Sequence, residues 1–536
     1  MTSEALFTML STYALVIGVT VYLFWKILTI PRATNISTKG DRWNSRIGLV
    51  LAMAGNAVGL GNFLRFPVKA IQNGGGAFIV PYLVCFLLMG IPLLLVEWSS
   101  GKFGGKTRQH NPPYILQQLG KSPLWKYVGS LGLFTNIIVA SYYIYIESWA
   151  LSYAFYGIFG TFQGMSPANV SIFFTDYITL KSYIPIVSWL FCLFLNLYFL
   201  SKGIGEGIEK VARVGMPLLL FFSIVLAITG LTLQAGTQGA IHDSSVGLNF
   251  LWQPDFSTIW SPKVWLAAAG QIFFTLSVGM GAVQCYASYT DENEDVPLNA
   301  LSAGWMNELV EVVLGSAIII PISVGYLGIE GVKAIIASNN PFSLGFETLP
   351  YLFQQWGPMM AAFSGMMWFG ILFFAGMTSS LAMGLSWTAF LKDRFDWTNA
   401  KSVLLFGTAI TLVGILPVFF ASENIMGEFD YWAGEVSLVL FGTLEIFLFA
   451  WVFGMDKGWQ IITEHADIRL PIVYKYIIQF VTPLFLAAIL ISSLPNIYER
   501  LFLPVSNIIV FARCLMLFVL LGISFLIYKA QKESEK

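Results

Sequence analysis

Apolar runs of about twenty residues, the length a helix needs to cross a bilayer, recur from one end of this chain to the other. They fall near 6–28, 44–71, 76–103, 124–157, 184–201, 207–230, 262–289, 298–326, 359–391, 400–420, 431–454, 472–494 and 505–528, thirteen in all. Residues 331–356 read as a shorter, interfacial helical insert. Lipid offers no hydrogen bonds, so a spanning segment must satisfy its own backbone, which leaves helices or closed barrels. The short alternating segments of a barrel are absent. Charged residues make up 11% of the 536, against roughly 25% in soluble domains. The expected fold is an all-α polytopic membrane protein.

Several function classes drop out at once. With a net charge of −1 and no basic stripe, nucleic acid is not an expected partner. Cys85, Cys192, Cys285 and Cys514 lie inside apolar runs and imply no disulfide framework. His110, His242 and His465 stand in polar loops, so intramembrane haem or zinc ligation is not expected. A membrane enzyme would need a nucleophile–base pair or metal cluster at the midplane, and the sequence offers neither.

Basic residues set the expected orientation. Arg32, Lys39, Arg42 and Arg46 precede the second span; Lys102, Lys106, Arg108, Lys121 and Lys126 follow the third; Lys202, Lys210 and Arg213 follow the fifth; Lys529, Lys532 and Lys536 close the chain. These loops share the cytoplasmic side, whereas 158–183 and 231–261 are nearly free of Lys and Arg. The acidic loop TDENEDVPLN at 290–299 goes against that trend. The first span lacks a basic n-region and a small-residue cleavage site, so a retained anchor is expected, with its N-terminus outside and the C-terminus cytoplasmic.

Two spans are interrupted. GNAVGLGNFLRFP, residues 55–67, puts three glycines, two asparagines and an arginine where lipid would prefer leucine, and TLSVGMG at 275–281 breaks a later span. Leaving out the first span, the remaining twelve divide as five, five and two, and each five opens on a broken span. An odd number of spans per repeat gives the repeats opposite orientations, and matched breaks point to a binding site. Unwinding at mid-bilayer frees carbonyls, which suit a hard cation, and amides, which suit a carboxylate. Gly55 and Gly59 also form a GxxxG pair, which serves close helix packing. Packing alone does not account for Asn56, Asn62 and Arg65 in the same span.

These residues carry a resemblance. RWNSRIGLVLAMAGNAVGLGNFLRFP (42–67), NGGGAFIVPY (73–82), YYIYIESW (142–149), GQIFFTLSVGMGA (270–282), FFAGMTSS (373–380) and DYWAG (430–434) resemble the neurotransmitter:sodium symporters, most of all the bacterial leucine transporter branch, from about residue 43 to the end. The resemblance implies a 5+5 inverted-repeat transporter fold with two unwound helices, about twelve core spans, and one extra N-terminal span. Its divisions would be 1–42 (extra helix and linker), 43–230 and 231–457 (the two repeats) and 458–536 (two last spans and tail).

The activity implied is sodium-coupled symport of a neutral, hydrophobic amino acid by alternating access, in the plasma (inner) membrane. One sodium site would comprise the Ala57 carbonyl, Asn62, Thr275, Asn307 and the substrate carboxylate. A second would comprise the carbonyls of Gly55, Val58 and Ala375 with the hydroxyls of Thr378 and Ser379; hydroxyls on membrane helices also back-bond to their own turns. Leu60, Gly61 and Tyr143 would hold the substrate carboxylate, and Ala57, Phe274, Thr275 and Ser277 would face the ammonium. Val139, Phe274, Met280, Ser379 and Met383 would line the rest of the pocket. Gly59 stands where amine-transporting relatives carry aspartate.

Arg65 and Asp430 would form an outer gate over Tyr143 and Phe274, or a static ion pair. Trp43, Ser288, Tyr289 and Asp393 would close the inner side, although Gly40 stands where the family's arginine is expected, leaving Lys39 or Arg42 as substitutes. Glu311 stands where chloride-dependent relatives have serine and would supply that negative charge itself; a buried, protonated glutamate is the other reading. Glu97 and Glu147, also at membrane depth, are expected to brace the scaffold. Implied partners are the amino acid, sodium ions and lipid, with a homodimer left open. A non-transporting amino-acid sensor on the same scaffold is the alternative.

Overall fold

The computed structural model describes residues 1–29, 42–254, 256–258, 260–338 and 342–534. Lys39, one of the two proposed substitutes for the inner-gate arginine, and Gly40, which stands in that arginine's place, lie outside the described residues, as do Arg32 and Lys536. Eleven helices among the described residues are long and apolar enough to cross a membrane. They are α1 (Ser3–Thr29), α4 (Gly76–Lys106), α5 (Leu124–Ile158), α6 (Ile184–Ser201), α7 (Ile204–Leu231), α11 (Val296–Ala337), α12 (Pro358–Phe395), α13 (Asn399–Phe419), α14 (Ile425–Thr463), α15 (Val473–Phe502) and α16 (Asn507–Lys532). A twelfth span is the pair α2 (Arg46–Ala57) and α3 (Gly61–Gln72), bent by 41° at its break. The remaining expected span, 262–289, is built as two short helices, α9 (Pro262–Thr275) and α10 (Ala282–Ser288), with 276–281 outside helix. Between them and α7 lies the short helix α8 (Ser244–Trp252).

The core is organised around α5 and α12, which pack along each other. The most apolar stretch of α5 is 94% buried, against 17% for α16, so α5 is a central rod and α16 a peripheral one. The broken span packs through α2 against α7, α11 and α12, while α9 and α10 pack on α4. The expected insert is helical in two pieces. The end of α11 continues past a kink at Gly328, whose φ of 67° and ψ of 167° suit only glycine, and Leu344–Phe353 follows beyond the undescribed 339–341.

The acidic loop that ran against the charge trend is explained by what surrounds it. Arg42 pairs with Asp291 at 3.4 Å and Arg46 with Glu294 at 3.2 Å. Lys102 donates to the Glu294 carbonyl at 2.8 Å, and the Asp295 carboxylate caps α11 by accepting from Leu298 N–H at 2.8 Å. The acids neutralise basic residues of neighbouring loops on the same side.

Candidate functional site

The first break follows from its residues. At the end of α2, Val58 is extended (φ −75°, ψ 91°), and regular backbone bonding resumes only at Gly61. The two freed amides find side chains: Gly59 N–H donates to Asn62 Oδ1 at 2.8 Å, and Leu60 N–H to the Tyr143 hydroxyl at 2.7 Å. Glycine is required here by crowding. A Cβ on Gly59 would run into the Tyr143 hydroxyl and lie 3.2 Å from Ser379 Oγ, and one on Gly61 would lie 2.6 Å from the Phe274 ring.

The second break is held open by left-handed residues, Ser277 (φ 52°), Gly279 (φ 79°) and Gly281 (φ 73°). A serine at positive φ is uncommon, and neighbouring helices fix it. Ser277 Oγ donates to the Asn56 carbonyl at 2.8 Å, tying the two breaks together. Glu97 accepts from Gly279 N–H at 2.6 Å, and Asn136 donates to the Met280 carbonyl at 3.1 Å. Glu147 accepts from Asn196 at 3.0 Å and Ser380 at 3.1 Å. Glu147 ties α5 to α6 and α12, and Glu97 ties α4 to the second break.

Oxygens converge between the breaks. Asn62 Nδ2 donates to Asn307 Oδ1 at 2.8 Å, and the Thr275 hydroxyl lies 3.2 Å from the same oxygen. The Asn307 amide end that faces the breaks stands 3.1 Å from the Ala57 carbonyl oxygen and 3.3 Å from that of Thr275. With oxygen at that end, acceptors crowd one another with no proton between them. A flipped amide would relieve that repulsion; so would a cation, and all-oxygen donors suit a hard one.

A second convergence lies on the other side of α2. Ser379 Oγ sits 3.4 Å from the Gly55 carbonyl oxygen and 3.1 Å from that of Ala375, and Thr378 Oγ1 sits 3.3 Å from the latter. A Cβ on Gly55 would lie 3.0 Å from Thr378 Cβ. Ser379 of α12 thus meets the Gly55 carbonyl of α2, while its bond to Ala375 and the bonds of Thr378 Oγ1 to Ala375 and, at 2.9 Å, to the Phe374 carbonyl run back along α12.

Ala57, Gly61, Val139, Tyr143, Phe274, Thr275, Ser277, Met280, Ser379 and Met383 all line one enclosed cavity of about 10 Å³. Leu60 lines the vestibule beyond it, of about 250 Å³. Gly61, Tyr143 and Phe274 border both spaces. Gly434 and Leu438, from α14, complete the cavity wall and were not expected from sequence.

Over the Phe274 ring, at 4.3 Å from its centroid, lies the Arg65 guanidinium. Arg65 is 3.7 Å from Asp430 and bonded to Glu435, which the sequence reading did not single out. Tyr142 donates to Asp430 at 2.9 Å. In an α-helix, residues five apart point about 140° away from each other. Asp430–Ser437 is π-helical, and that wider i→i+5 turn brings both acids to one face.

On the opposite side Trp43 Nε1 donates to the Tyr286 carbonyl at 3.2 Å. His110 stacks on Tyr289 with centroids 4.2 Å apart and bonds Ser288 Oγ at 3.0 Å. Asp393 accepts from His110 N–H at 3.0 Å and from Asn111 at 2.9 Å. His110, from a neighbouring loop, joins Ser288, Tyr289 and Asp393, while Trp43 meets Tyr286 of the same helix α10.

Glu311 is fully buried. It accepts from Gln271 Nε2 at 3.1 Å and is bonded to the Thr275 hydroxyl, so it adjoins the oxygen cluster. Glu308, also buried and missed from sequence, accepts from the Tyr82 hydroxyl at 3.0 Å. The spacing NELVE at 307–311 was the available signal.

A family model described as Sodium:neurotransmitter symporter family matches residues 40–166 and 182–532. An uncharacterised sodium-dependent transporter of Methanocaldococcus jannaschii is 30% identical over 85% of this chain and 91% of its own. The human sodium- and chloride-dependent GABA transporter 2 is 26% identical over 84% of this chain and 79% of its own. Among solved structures, the crystal structure of MhsT in complex with L-phenylalanine superposes with a TM-score of 0.74 at 28% identity, covering 85% of this chain and all of that one.

Proposed function

The chain belongs to the sodium:neurotransmitter symporter family, and from that premise we propose that it moves a neutral, hydrophobic amino acid with sodium by alternating access, independently of chloride. The observation that carries this reading is the meeting of the Asn62, Thr275 and Asn307 side chains between two broken spans, beside a cavity walled by Val139, Met280 and Met383. Each residue has a role. Asn62, Thr275, Asn307 and the Ala57 carbonyl hold one sodium ion, completed by the substrate carboxylate. Gly55, Val58, Ala375, Thr378 and Ser379 hold a second. Tyr143, with the amides of Leu60 and Gly61, receives the carboxylate; Ala57, Phe274, Thr275 and Ser277 face the ammonium.

Two methionines give the apolar wall flexibility, which suits leucine, methionine or an aromatic side chain. MhsT's complex with L-phenylalanine is in keeping with that class. Phe274 and the Arg65, Asp430 and Glu435 cluster act as the outer gate. The Arg65 side chain is 14% exposed and its acidic partners 32% and 38%, so the pairs border the vestibule on their acidic side. Trp43, Ser288, Tyr289, Asp393 and His110 form the inner closure. An outside N-terminus is supported by Thr2, whose N–H donates to Asn249 Oδ1 at 2.8 Å in the loop that is nearly free of Lys and Arg. The C-terminus is then cytoplasmic, in a plasma (inner) membrane.

The test is uptake into proteoliposomes. Labelled leucine should accumulate under an inward sodium gradient and fail to do so when potassium replaces sodium. Binding without accumulation would mark a sensor and overturn the symport reading.

Chloride independence is tested at Glu311. Replacing it by serine takes the carboxylate away from the Gln271 amide and the Thr275 hydroxyl, and a buried donor left without an acceptor costs about 1–3 kcal/mol. A small anion satisfies both, so uptake by Glu311→Ser should rise at least severalfold when chloride replaces gluconate, with wild type indifferent. A chloride-indifferent variant removes the anion-surrogate role.

A further inference from the structure

Helix α1 lies outside the segment matched by the family model, yet it is seated on α11, the helix that carries Asn307, Glu308 and Glu311. Ala5, Met9, Val16, Leu23 and Ile27 are buried along one side of α1, a single seam at helical spacing. Phe7, Val21 and Leu28 point outward and are exposed.

The seam runs antiparallel to α11, and polar contacts fix its register. The Tyr13 hydroxyl donates to the Val313 carbonyl at 3.1 Å, with Ser316 Oγ at 3.3 Å. The Thr20 hydroxyl lies 3.0 Å from the Trp305 carbonyl oxygen and 2.7 Å from that of Val16. Trp252 of α8 packs edge-on against the Tyr13 ring, with centroids 5.4 Å apart.

What Tyr13 grips is an irregular stretch. Residues Leu309–Gly315 are π-helical, a geometry that is rare, strained relative to the α-helix and concentrated at functional sites. Glu311 stands within this turn, Asn307 just before it. A side-chain donor from outside the helix holds such a turn in place, because no water at that depth competes for the carbonyl.

We propose that Tyr13 is a positioning residue. Through Val313 it holds the π-helical turn of α11 in the register that keeps Asn307 against the two breaks. This rests on the reading of Asn307 as a sodium ligand. Thr20, bound to the Trp305 carbonyl two residues before Asn307, supports the same register from the other side. The partners of Tyr13 and Thr20 across the seam are Val313, Ser316 and Trp305, none of them a substrate-contacting residue, so the effect falls on sodium.

The experiment uses full-length Tyr13→Phe in proteoliposomes, a change that removes one hydroxyl and keeps the ring. The sodium concentration for half-maximal leucine uptake should rise about threefold to tenfold, the range expected for one net hydrogen bond. Half-saturating leucine at saturating sodium should stay within twofold of wild type. Thr20→Val should shift sodium in the same direction and carries the test if Tyr13→Phe does not insert. A sodium half-saturation unmoved in both variants, or a fall only in melting temperature and maximal rate, overturns the proposal and leaves α1 as plain scaffold. Asn307→Ala, run in parallel, separates the two failures. If it retains normal sodium dependence, the ligand reading itself is wrong; if it loses sodium dependence while the α1 variants do not shift, the brace alone is wrong.

Discussion

Replacing Asn62 by leucine is expected to abolish sodium-dependent substrate binding, with apparent affinity falling at least about a hundredfold. Asn62 is fully buried and makes two contacts at once. Its oxygen accepts from Gly59 N–H at 2.8 Å, and its nitrogen donates to Asn307 at 2.8 Å. Leucine is close in size, so the helix still packs, but three things are lost together. A buried amide proton at Gly59 is orphaned, which costs about 1–3 kcal/mol. Asn307 loses the donor that holds its oxygen toward the Ala57 and Thr275 carbonyls. One neutral oxygen also leaves the cation's shell, and interactions with a charged group run at about 1.5–3 kcal/mol. At 1.4 kcal/mol per tenfold, these losses exceed two decades. The measurement is equilibrium binding of labelled leucine across a sodium titration, on protein shown to be monodisperse. Unchanged affinity and an unchanged sodium response would remove Asn62 from the site.

The breaks were legible because their causes are local. Glycine, asparagine and serine inside an apolar run conflict with lipid, and Gly55, Gly59, Gly61, Gly279 and Gly281 stand where the chain either turns or meets another side chain closely. Thr378 and Ser379 were legible from the motif 373–380, and Asn307 from the register of the resemblance on either side of it. What stayed hidden depends on three-dimensional placement. Glu435 joins Arg65 only because a π-helical turn rotates it onto the face of Asp430; on an α-helical wheel it points elsewhere. His110 comes from a loop far along the chain from Ser288 and Tyr289. Gly434 and Leu438 look like ordinary apolar helix and reach the cavity by tertiary packing. The seat of α1 was hidden for the same reason: Tyr13 and Thr20 are unremarkable in an apolar run until Val313 and Trp305 are seen opposite.

Gly59→Asp is expected to eliminate amino-acid binding, by about a thousandfold, and to do so chiefly through charge. Position 59 lies between the Tyr143 hydroxyl and Ser379 Oγ, the first of them already within clashing distance of any Cβ. Gly59→Ala therefore measures the steric part alone, since Tyr143 must move and its bond with Leu60 N–H, 2.7 Å long, is strained or broken. Aspartate adds a negative charge where the substrate carboxylate is to be received. Two like charges about 4 Å apart, at an effective dielectric near 20, repel by about 4 kcal/mol, close to three decades in affinity. The double variant Gly59→Asp with Tyr143→Phe removes the hydroxyl clash and keeps the charge, so it should remain blind to leucine. Leucine amide, which carries the ammonium and the side chain without a carboxylate, should lose far less affinity than leucine does in the aspartate variant. Leucine binding within threefold of wild type in Gly59→Asp would mean that the substrate carboxylate sits elsewhere, and the roles given to Tyr143, Leu60 and Gly61 would fall with it.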